Sequence, residues 1–335
     1  MNSANTPHHS VIDVHAHMVP LHLLEQLHRR ELKFPGVDVQ AHEATYRVAF
    51  NGGKPTRPIA AGLTDLGRRI VWMDKNDLAV QVVGGWLDIF GYELSPDEGA
   101  EWSNVLTAAL RESTANEPRL LPLGTVPLQA PDRAADAVRQ HRASGVPGIM
   151  IATRAGGREL DDPEFTPFWE AADDTGCVVF LHPGFGGASD RYRDFGLVNG
   201  LARLEDTTVT LARLLYAGVP AKFPGAKIVV AHAGAALPYV LGRLVRNHLM
   251  NPDTTCDPRE SFEQLYFDSV IFDPDALGLL INQAGPGRVL LGSDYPFPIG
   301  DLEPRSVIRD ARIAESVKAQ IEGGNARELF AEVCA

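Results

Sequence analysis

Residues 11–17 have the sequence Val-Ile-Asp-Val-His-Ala-His, and this stretch sets the interpretation of the whole chain. Three of its first four residues are apolar and β-branched, which predicts a short buried strand. Side chains two positions apart on a strand point to the same face, so His15 and His17 can converge on one point. A divalent metal ion is the commonest reason for such convergence, although two unrelated histidines would give the same short motif.

Apolar segments alternate with helical patterns along the rest of the chain. The predicted helices include one over 63–76 with Thr64 as a candidate N-cap, one over about 96–116 capped by Ser95, and one over about 314–333. The predicted strands are 11–17, 78–85, 119–128, 148–153, 177–184, 227–234, 265–272 and 288–297. Strands separated by helices form a parallel sheet, and eight such units in 335 residues fit one (β/α)8 TIM-type barrel, an α/β fold covering residues 1–335 as a single domain. A doubly wound sheet is the alternative, but the glycine-rich turn that usually follows its first strand is replaced here by His-Ala-His.

Residues 34–62 interrupt this alternation after the first strand. They contain the candidate strand TYRVAF at 45–50 and a turn at Asn51-Gly52-Gly53. Alternating apolar residues with Gly and Pro predict a small β-rich insertion that forms a flap beside the first strand.

Composition narrows the class of partner and the compartment. The net charge of −12 argues against a nucleic-acid or anionic-membrane surface, and no apolar run reaches the roughly 18 residues of a membrane span. The three cysteines, Cys177, Cys256 and Cys334, are far apart and indicate no disulfide framework. With an N-terminal segment that lacks a signal-peptide core, these features predict a cytoplasmic enzyme.

Polar residues stand at the carboxyl ends of four predicted strands: His15, His17, His182, His232 and Asp294. In a barrel that end is the active-site face, so these groups would meet in one mouth. Imidazoles with one carboxylate suit Zn²⁺ or another borderline divalent ion and leave room for a water or substrate oxygen. Each residue also has an ordinary structural explanation, a hydrogen-bonded histidine or an Asx turn at Asp294, but four coincidences at one end are hard to accept.

These motifs resemble the amidohydrolase superfamily, and within it the amidohydrolase-2 branch. The resemblance is carried by His-x-His, His182-Pro183, His232-Ala233-Gly234, Leu241-Gly242-Arg243 and Gly292-Ser293-Asp294-Tyr295-Pro296. That branch includes non-oxidative decarboxylases of the aminocarboxymuconate-semialdehyde and hydroxybenzoate type. The resemblance extends along most of the chain.

The resemblance implies a role for each matching residue. His15, His17, His182 and Asp294 match the ligands of one divalent metal ion, for which Zn²⁺ is expected and Mn²⁺ is the alternative. His232 matches the histidine that lies beside the metal-bound water and acts as acid and base. The bridging lysine of two-metal relatives has no counterpart after the fourth strand.

Substrate contacts are also implied. Arg57 matches an arginine that holds a substrate carboxylate, and Arg243 matches one that relatives contribute across a homodimer interface. Phe297 and Trp86 are candidate pocket residues, with core packing as the alternative.

The loop 184–195 departs from the aromatic-rich loop of some relatives. Arg191 and Arg193 in this loop are candidates for a second carboxylate, with a solvated loop as the alternative. Lys54 is a candidate helper of Arg57, with a solvated turn as the alternative.

Three functions are compatible with this site. The favoured one is decarboxylation of a small unsaturated or aromatic carboxylic acid, with His232 delivering the proton. The second is hydrolysis or hydration at an amide, lactone or C–C bond, with Asp294 shuttling the proton. The third is a catalytically silent metal-binding module.

Overall fold

The structure is a computed structural model that describes residues 10–184 and 189–331. Its strands are β1 (Val11–Met18), β2 (Val37–His42), β3 (Thr45–Phe50), β4 (Leu78–Gly85), β5 (Leu120–Pro122), β6 (Gly148–Ala152), β7 (Arg154–Ala155), β8 (Arg158–Glu159), β9 (Val178–His182), β10 (Lys227–Val230) and β11 (Tyr266–Phe267). Its α-helices are α1 (Leu21–His28), α2 (Leu66–Lys75), α3 (Pro96–Thr114), α4 (Pro131–Ala143), α5 (Thr166–Asp174), α6 (Arg203–Ala217), α7 (Val219–Lys222), α8 (Leu237–Met250), α9 (Pro258–Phe262), α10 (Pro274–Ala284), α11 (Ser306–Asp310), α12 (Glu315–Ala319) and α13 (Asn325–Leu329).

Seven of these strands and one further segment close into a parallel barrel. In one half, β4 lies between β1 and β5, and in the other the order is β6, β9, β10, β11. Single parallel bridges join the halves, from Gly124 to Ile149, from Phe267 to Val289 and from Tyr295 back to Ala16. The segment 289–295, here named the closing segment, is therefore the eighth barrel strand.

The predicted (β/α)8 barrel is thus confirmed, and all eight predicted strand segments lie in its wall. The physical reason is that each apolar segment is buried on both faces, as parallel strands covered by helices are. Large aromatic side chains such as Trp102, Trp169 and Phe180 are buried in the hydrophobic core. Among the described residues, no helix has both the length and the apolar character that a bilayer crossing needs.

The predicted β-rich insertion is also present. β2 and β3 form an antiparallel hairpin that pairs Val37 with Phe50 and His42 with Thr45. The chain then returns beside β3, where the Thr56 N–H donates to the Val48 carbonyl at 2.8 Å. This return segment, which is not part of a strand, carries Arg57.

Helix starts follow ordinary capping chemistry, with corrections to the predicted boundaries. Ser95 caps α3 as predicted, because its hydroxyl oxygen accepts the Glu98 N–H at 3.4 Å, and its hydroxyl also donates to the Glu98 carboxylate at 2.7 Å. The predicted cap Thr64 is wrong, because the Asp65 carboxylate accepts the Arg68 N–H at 2.9 Å and caps α2. The helix predicted for 314–333 is divided into α12 and α13 by a π turn at Gln320–Gly324.

Candidate metal centre and active site

Three barrel strands bring four buried side chains together at the carboxyl end of the barrel. His15 and His17 lie in β1, His182 ends β9, and Asp294 lies in the closing segment. One ligand atom from each of the four residues lies within 4.8 Å of the others. Residues more than 270 positions apart in sequence therefore form one group, as the sequence predicts for the metal ligands.

Hydrogen bonds fix the orientation of the three imidazoles. The Nδ1 atom of His15 lies 2.6 Å from Asp268 Oδ2, that of His17 lies 3.1 Å from the Gly85 carbonyl oxygen, and that of His182 lies 2.9 Å from the Pro183 carbonyl oxygen. These acceptors place a proton on each Nδ1. Each Nε2 atom then keeps a lone pair, through which it can bind a metal ion.

These lone pairs face one another across a space suited to a cation. His15 Nε2 lies 3.2 Å from His17 Nε2, and Asp294 Oδ1 lies 3.1 Å from His17 Nε2. His182 Nε2 and Asp294 Oδ1 are buried without a hydrogen-bond partner among the described residues. Buried polar atoms are rarely left unpaired, so three nitrogens and one carboxylate oxygen fit a divalent metal site.

Burial and the neighbouring charges shift the pKa values of these four groups in different directions. Burial lowers the pKa of His15, but Asp294 and Asp268 outweigh it and raise that pKa to about 10. Burial raises the pKa of Asp294, but His15, His17 and His182 together outweigh this and hold that pKa well below its usual range. Burial lowers the pKa of His17 and His182. Metal binding must therefore compete with a proton, as is general for such sites.

Asp268 is a site residue that the sequence reasoning missed. Its carboxylate accepts the His15 Nδ1–H and the N–H groups of His232, Ala233 and Val270, at 2.6 to 3.1 Å. Burial raises the pKa of Asp268, but the hydrogen bond and charge of His15, the charge of His232 and the Ala233 N–H together outweigh it and lower that pKa. Asp268 directly follows β11, so its position at the end of a strand was the signal available in the sequence. The predicted strand 265–272 was too long and therefore placed Asp268 inside the strand instead of at its end.

The closing segment can approach this cluster only because residue 292 is glycine. A Cβ atom on Gly292 would lie 2.8 Å from Asp268 Cβ and 3.1 Å from His15 Cβ. Any larger residue would separate the strand that carries Asp294 from the strand that carries His15.

His232 lies beside the four-residue group and outside it. Its Nε2 atom is 3.6 Å from Asp294 Oδ2, and its side chain is 14% exposed. Its Nδ1 atom is buried without a hydrogen-bond partner in the described part of the chain. His232 and Asp294 both have positive φ, 55° and 59°, a conformation that non-glycine residues rarely adopt and that is typical of functional sites.

Arg57 lies at the outer wall of the mouth, held by two neighbours. Its guanidinium is 3.5 Å from Asp88 Oδ2, and its Cζ is 5.6 Å from the Trp86 ring centroid. The Arg57 side chain is 57% exposed, whereas the Asp88 side chain is 5% exposed. Burial raises the pKa of Asp88 to about 6, although the charges of Arg57 and Arg203 act to lower it. Asp88 and Arg203 are further mouth residues that the sequence reasoning did not identify.

The remaining predicted residues lie around the same end of the barrel or on its surface. The Phe297 ring centroid is 5.0 Å from that of His17, and Trp86 is buried. Lys54, Arg191, Arg193 and Arg243 are exposed, and Arg193 pairs with Asp190. Part of the predicted loop 184–195, residues 185–188, and Cys334 lie outside the described residues.

Comparison with known proteins agrees with this geometry. The family model Amidohydro_2, described as amidohydrolase, matches residues 12–331. The chain belongs to the amidohydrolase family. This assignment confirms the predicted resemblance.

Named relatives of this amidohydrolase are decarboxylases. The 2-amino-3-carboxymuconate-6-semialdehyde decarboxylase of Dictyostelium discoideum is 28% identical over 328 residues, which cover 95% of this chain and 91% of that protein. The crystal structure of 5-carboxyvanillate decarboxylase from Sphingomonas paucimobilis has a TM-score of 0.79 at 24% identity, covering 96% of this chain and 99% of the other. The dihydroxybenzoic acid decarboxylase of Polaromonas, solved with bound manganese, has a TM-score of 0.77 at 20% identity, covering 96% and 97%.

Proposed function

We propose that this amidohydrolase is a metal-dependent, non-oxidative decarboxylase of a small unsaturated or aromatic carboxylic acid, of the aminocarboxymuconate-semialdehyde or hydroxybenzoate type. The observation that carries the proposal is the position of His232, which lies 3.6 Å from Asp294 and outside the group of four buried side chains. A site of this form has a proton donor beside a cation-binding centre. The named decarboxylase relatives support the same reaction.

His15, His17, His182 and Asp294 would hold the metal ion. When bound there, a divalent ion supplies a Lewis acid for substrate oxygens and lowers the pKa of a water molecule toward neutrality. We propose zinc as this ion, because three imidazoles and a carboxylate are typical zinc ligands, whereas manganese prefers oxygen ligands. Manganese is the alternative, supported by the manganese in the Polaromonas enzyme.

His232 and Asp294 carry the proton transfer. His232 Nε2 donates a proton to the substrate carbon that bears the carboxylate, and the negative charge of Asp294, whose Oδ2 atom lies 3.6 Å away, keeps the imidazole beside the ligand group without taking its N–H. The bond to the carboxylate carbon then breaks, its electron pair restores conjugation in the ring or diene, and CO₂ leaves. One proton enters the product and one CO₂ departs, so the step needs neither oxidant nor reductant.

Arg57 and Phe297 position the acid. A guanidinium presents a planar pair of donors that matches a carboxylate, and Arg57 lies at the mouth with its side chain 57% exposed. The Phe297 ring, 5.0 Å from the His17 ring, offers an apolar face for an unsaturated substrate.

We propose further that the enzyme is a homodimer in which Arg243 enters the neighbouring site. Tyr239, Arg243 and Met250 follow helical spacing on α8, and all three are exposed. The Arg243 guanidinium has no hydrogen bond or ion pair with another described residue. An exposed arginine beside apolar side chains suits a protein interface.

Mixed dimers test this part of the proposal. His232→Ala and Arg243→Ala proteins, each with little activity, are unfolded together, refolded and assayed. A site that combines His232 of one chain with Arg243 of the other is complete, so activity should return. Mixing without gain, or a monomeric mass in sedimentation, would contradict the shared site.

The reaction itself is tested with zinc-loaded and manganese-loaded protein. A panel of hydroxybenzoates and 2-amino-3-carboxymuconate semialdehyde is assayed for CO₂ release, and a matched panel of esters, lactones and amides is assayed for acid release. CO₂ release that a chelator abolishes and one metal restores supports the proposal. Acid release without CO₂ would contradict the proposal and identify the protein as a hydrolase. If no compound in either panel reacts at saturating metal, the protein would instead be a binding module.

A further inference from the structure

A buried arginine lies close to the metal centre without touching any of the four ligand side chains. Arg69, on α2, is 1% exposed, although arginine is almost never fully buried unless paired. Its guanidinium donates to the Gln81 side-chain oxygen at 2.6 Å and to the His17 carbonyl at 2.5 Å. Its Cζ also lies 4.8 Å from the Tyr295 ring centroid. Burial lowers the pKa of Arg69 to about 10, so the group remains charged at neutral pH.

The hydrogen bonds continue beyond Gln81. The Gln81 amide donates to Asp13 Oδ2 at 2.8 Å, and Asp13 Oδ1 accepts the backbone N–H groups of His15 and Ser293, each at 3.0 Å. Gln81 is therefore oriented from both ends, with its oxygen toward the guanidinium and its nitrogen toward the carboxylate. We call the three fully buried side chains Arg69, Gln81 and Asp13 the buried relay.

The buried relay acts on the backbone where two barrel strands meet. β1 and the closing segment are joined there by the bonds from His17 N–H to the Tyr295 carbonyl, 2.7 Å, and from Asp294 N–H to the His15 carbonyl, 2.8 Å. The pairing of β1 with β4 changes register between Asp13 and Ala16, so regular strand pairing alone does not set the position of His15. These two strands carry three of the four ligands, His15, His17 and Asp294.

We propose that Arg69 is a positioning residue for the metal centre. By holding the His17 carbonyl directly, and the His15 and Ser293 N–H groups through Gln81 and Asp13, it keeps the three ligands of β1 and the closing segment in the geometry a cation needs. Arginine suits this role because its planar guanidinium reaches two acceptors in different directions while it packs on an aromatic ring. A lysine carries its three N–H donors on a single nitrogen atom, so it cannot span these two acceptors and also lie flat on the ring.

A purely structural role makes a different prediction. An arginine that only stabilises the fold would lower the free energy of unfolding when replaced and leave the affinity of the folded protein for metal unchanged. A positioning residue changes that affinity as well. Groups that orient metal ligands without binding the metal typically contribute 10- to 100-fold in affinity.

The test measures Zn²⁺ affinity by competition with a chromogenic chelator in Arg69→Lys, with urea unfolding of the metal-free protein as a second readout. Asn325→Ala is the matched control, because Asn325 is buried and donates two hydrogen bonds of 2.7 Å to the Pro286 and Val289 carbonyls at the opposite end of the barrel. We expect Arg69→Lys to weaken Zn²⁺ binding by about 10-fold or more. Asn325→Ala should destabilise the protein and bind Zn²⁺ as the wild type does.

Two outcomes would overturn the proposal. The first is an Arg69→Lys protein that unfolds at lower urea yet binds Zn²⁺ with wild-type affinity. The second outcome concerns Gln81→Met, a variant that can be measured if Arg69→Lys does not fold. This substitution keeps the contact between the Arg69 guanidinium and the His17 carbonyl but breaks the link to Asp13. Its Zn²⁺ affinity should also fall, and an unchanged affinity would show that the buried relay does not reach the ligands.

Discussion

Two neighbouring parts of the site differ in how firmly their side chains are held. They are the metal-ligand group, which consists of His15, His17, His182 and Asp294, and the outer wall, which consists of Arg57, Asp88 and Trp86. In the ligand group the side chains of His15, His17 and Asp294 are between 0% and 6% exposed. The outer wall instead presents Arg57, 57% exposed, with one ion pair at 3.5 Å. The four converging side chains are therefore held rigidly, whereas the Arg57 side chain has room to change its conformation.

The physical cause is the backbone that carries each region. The ligands stand on barrel strands, whose hydrogen-bonded neighbours leave little freedom, whereas Arg57 stands on the return segment after an inserted hairpin, outside any strand. Sites on strands are held more precisely than sites on loops. Replacing a ligand should therefore abolish function, and replacing a wall residue should modulate it.

The largest effect is expected at the ligands. His182→Ala removes one of four donors, so the protein should lose bound metal and CO₂ release together. Metal content after dialysis, measured by mass spectrometry, checks this. His141→Ala is the matched control, since His141 is a buried histidine whose Nε2 contacts the Thr125 carbonyl at 2.8 Å, away from the ligand group. Full metal occupancy in His182→Ala would contradict the assignment of this ligand.

The next effect separates His232 from the ligands beside it. His232→Ala should lower kcat by at least about 10²-fold, because the proton donor is lost, while the stoichiometry of bound metal stays at that of the wild type. The exposed His28 provides a control substitution. If His232→Ala lost its metal in parallel with its activity, His232 would belong to the ligand group.

The convergence of the four side chains at one end of the barrel could be predicted because strand periodicity and strand ends are local signals in a sequence. His15, His17, His182 and Asp294 each end or follow an apolar strand, and the barrel rule places such ends on one face. Side chains that act on other side chains leave no such signal. Asp268 and Asp88 resemble ordinary surface carboxylates in the sequence, and Arg69 resembles an ordinary helix residue, until the fold buries them.

A smaller effect is expected at Arg57. Arg57→Ala removes a charge-assisted hydrogen bond of about 1.5–3 kcal/mol, so KM for the acid should rise about 10- to 100-fold with a smaller change in kcat. Lys54→Ala removes the same charge from the same exposed segment and should change KM little. Equal effects of the two substitutions would mean that the flap attracts the acid by general charge instead of by a specific contact.

The smallest change in turnover is expected from replacing Asp88. Its effect should be seen instead in how the free energy of unfolding depends on pH. Burial raises the pKa of this carboxyl from 3.8 to about 6, so between these values the folded protein binds a proton that the unfolded chain releases. The contribution of Asp88 to the free energy of unfolding is then greatest below pH 4 and declines as pH rises through 6. Asp88→Asn removes this dependence. Urea unfolding with chelator should show the variant gaining about 2 kcal/mol on the wild type between pH 4 and 7. Parallel pH profiles would place Asp88 in water in the folded state, and the outer wall would then be more loosely held than the 3.5 Å contact to Arg57 indicates.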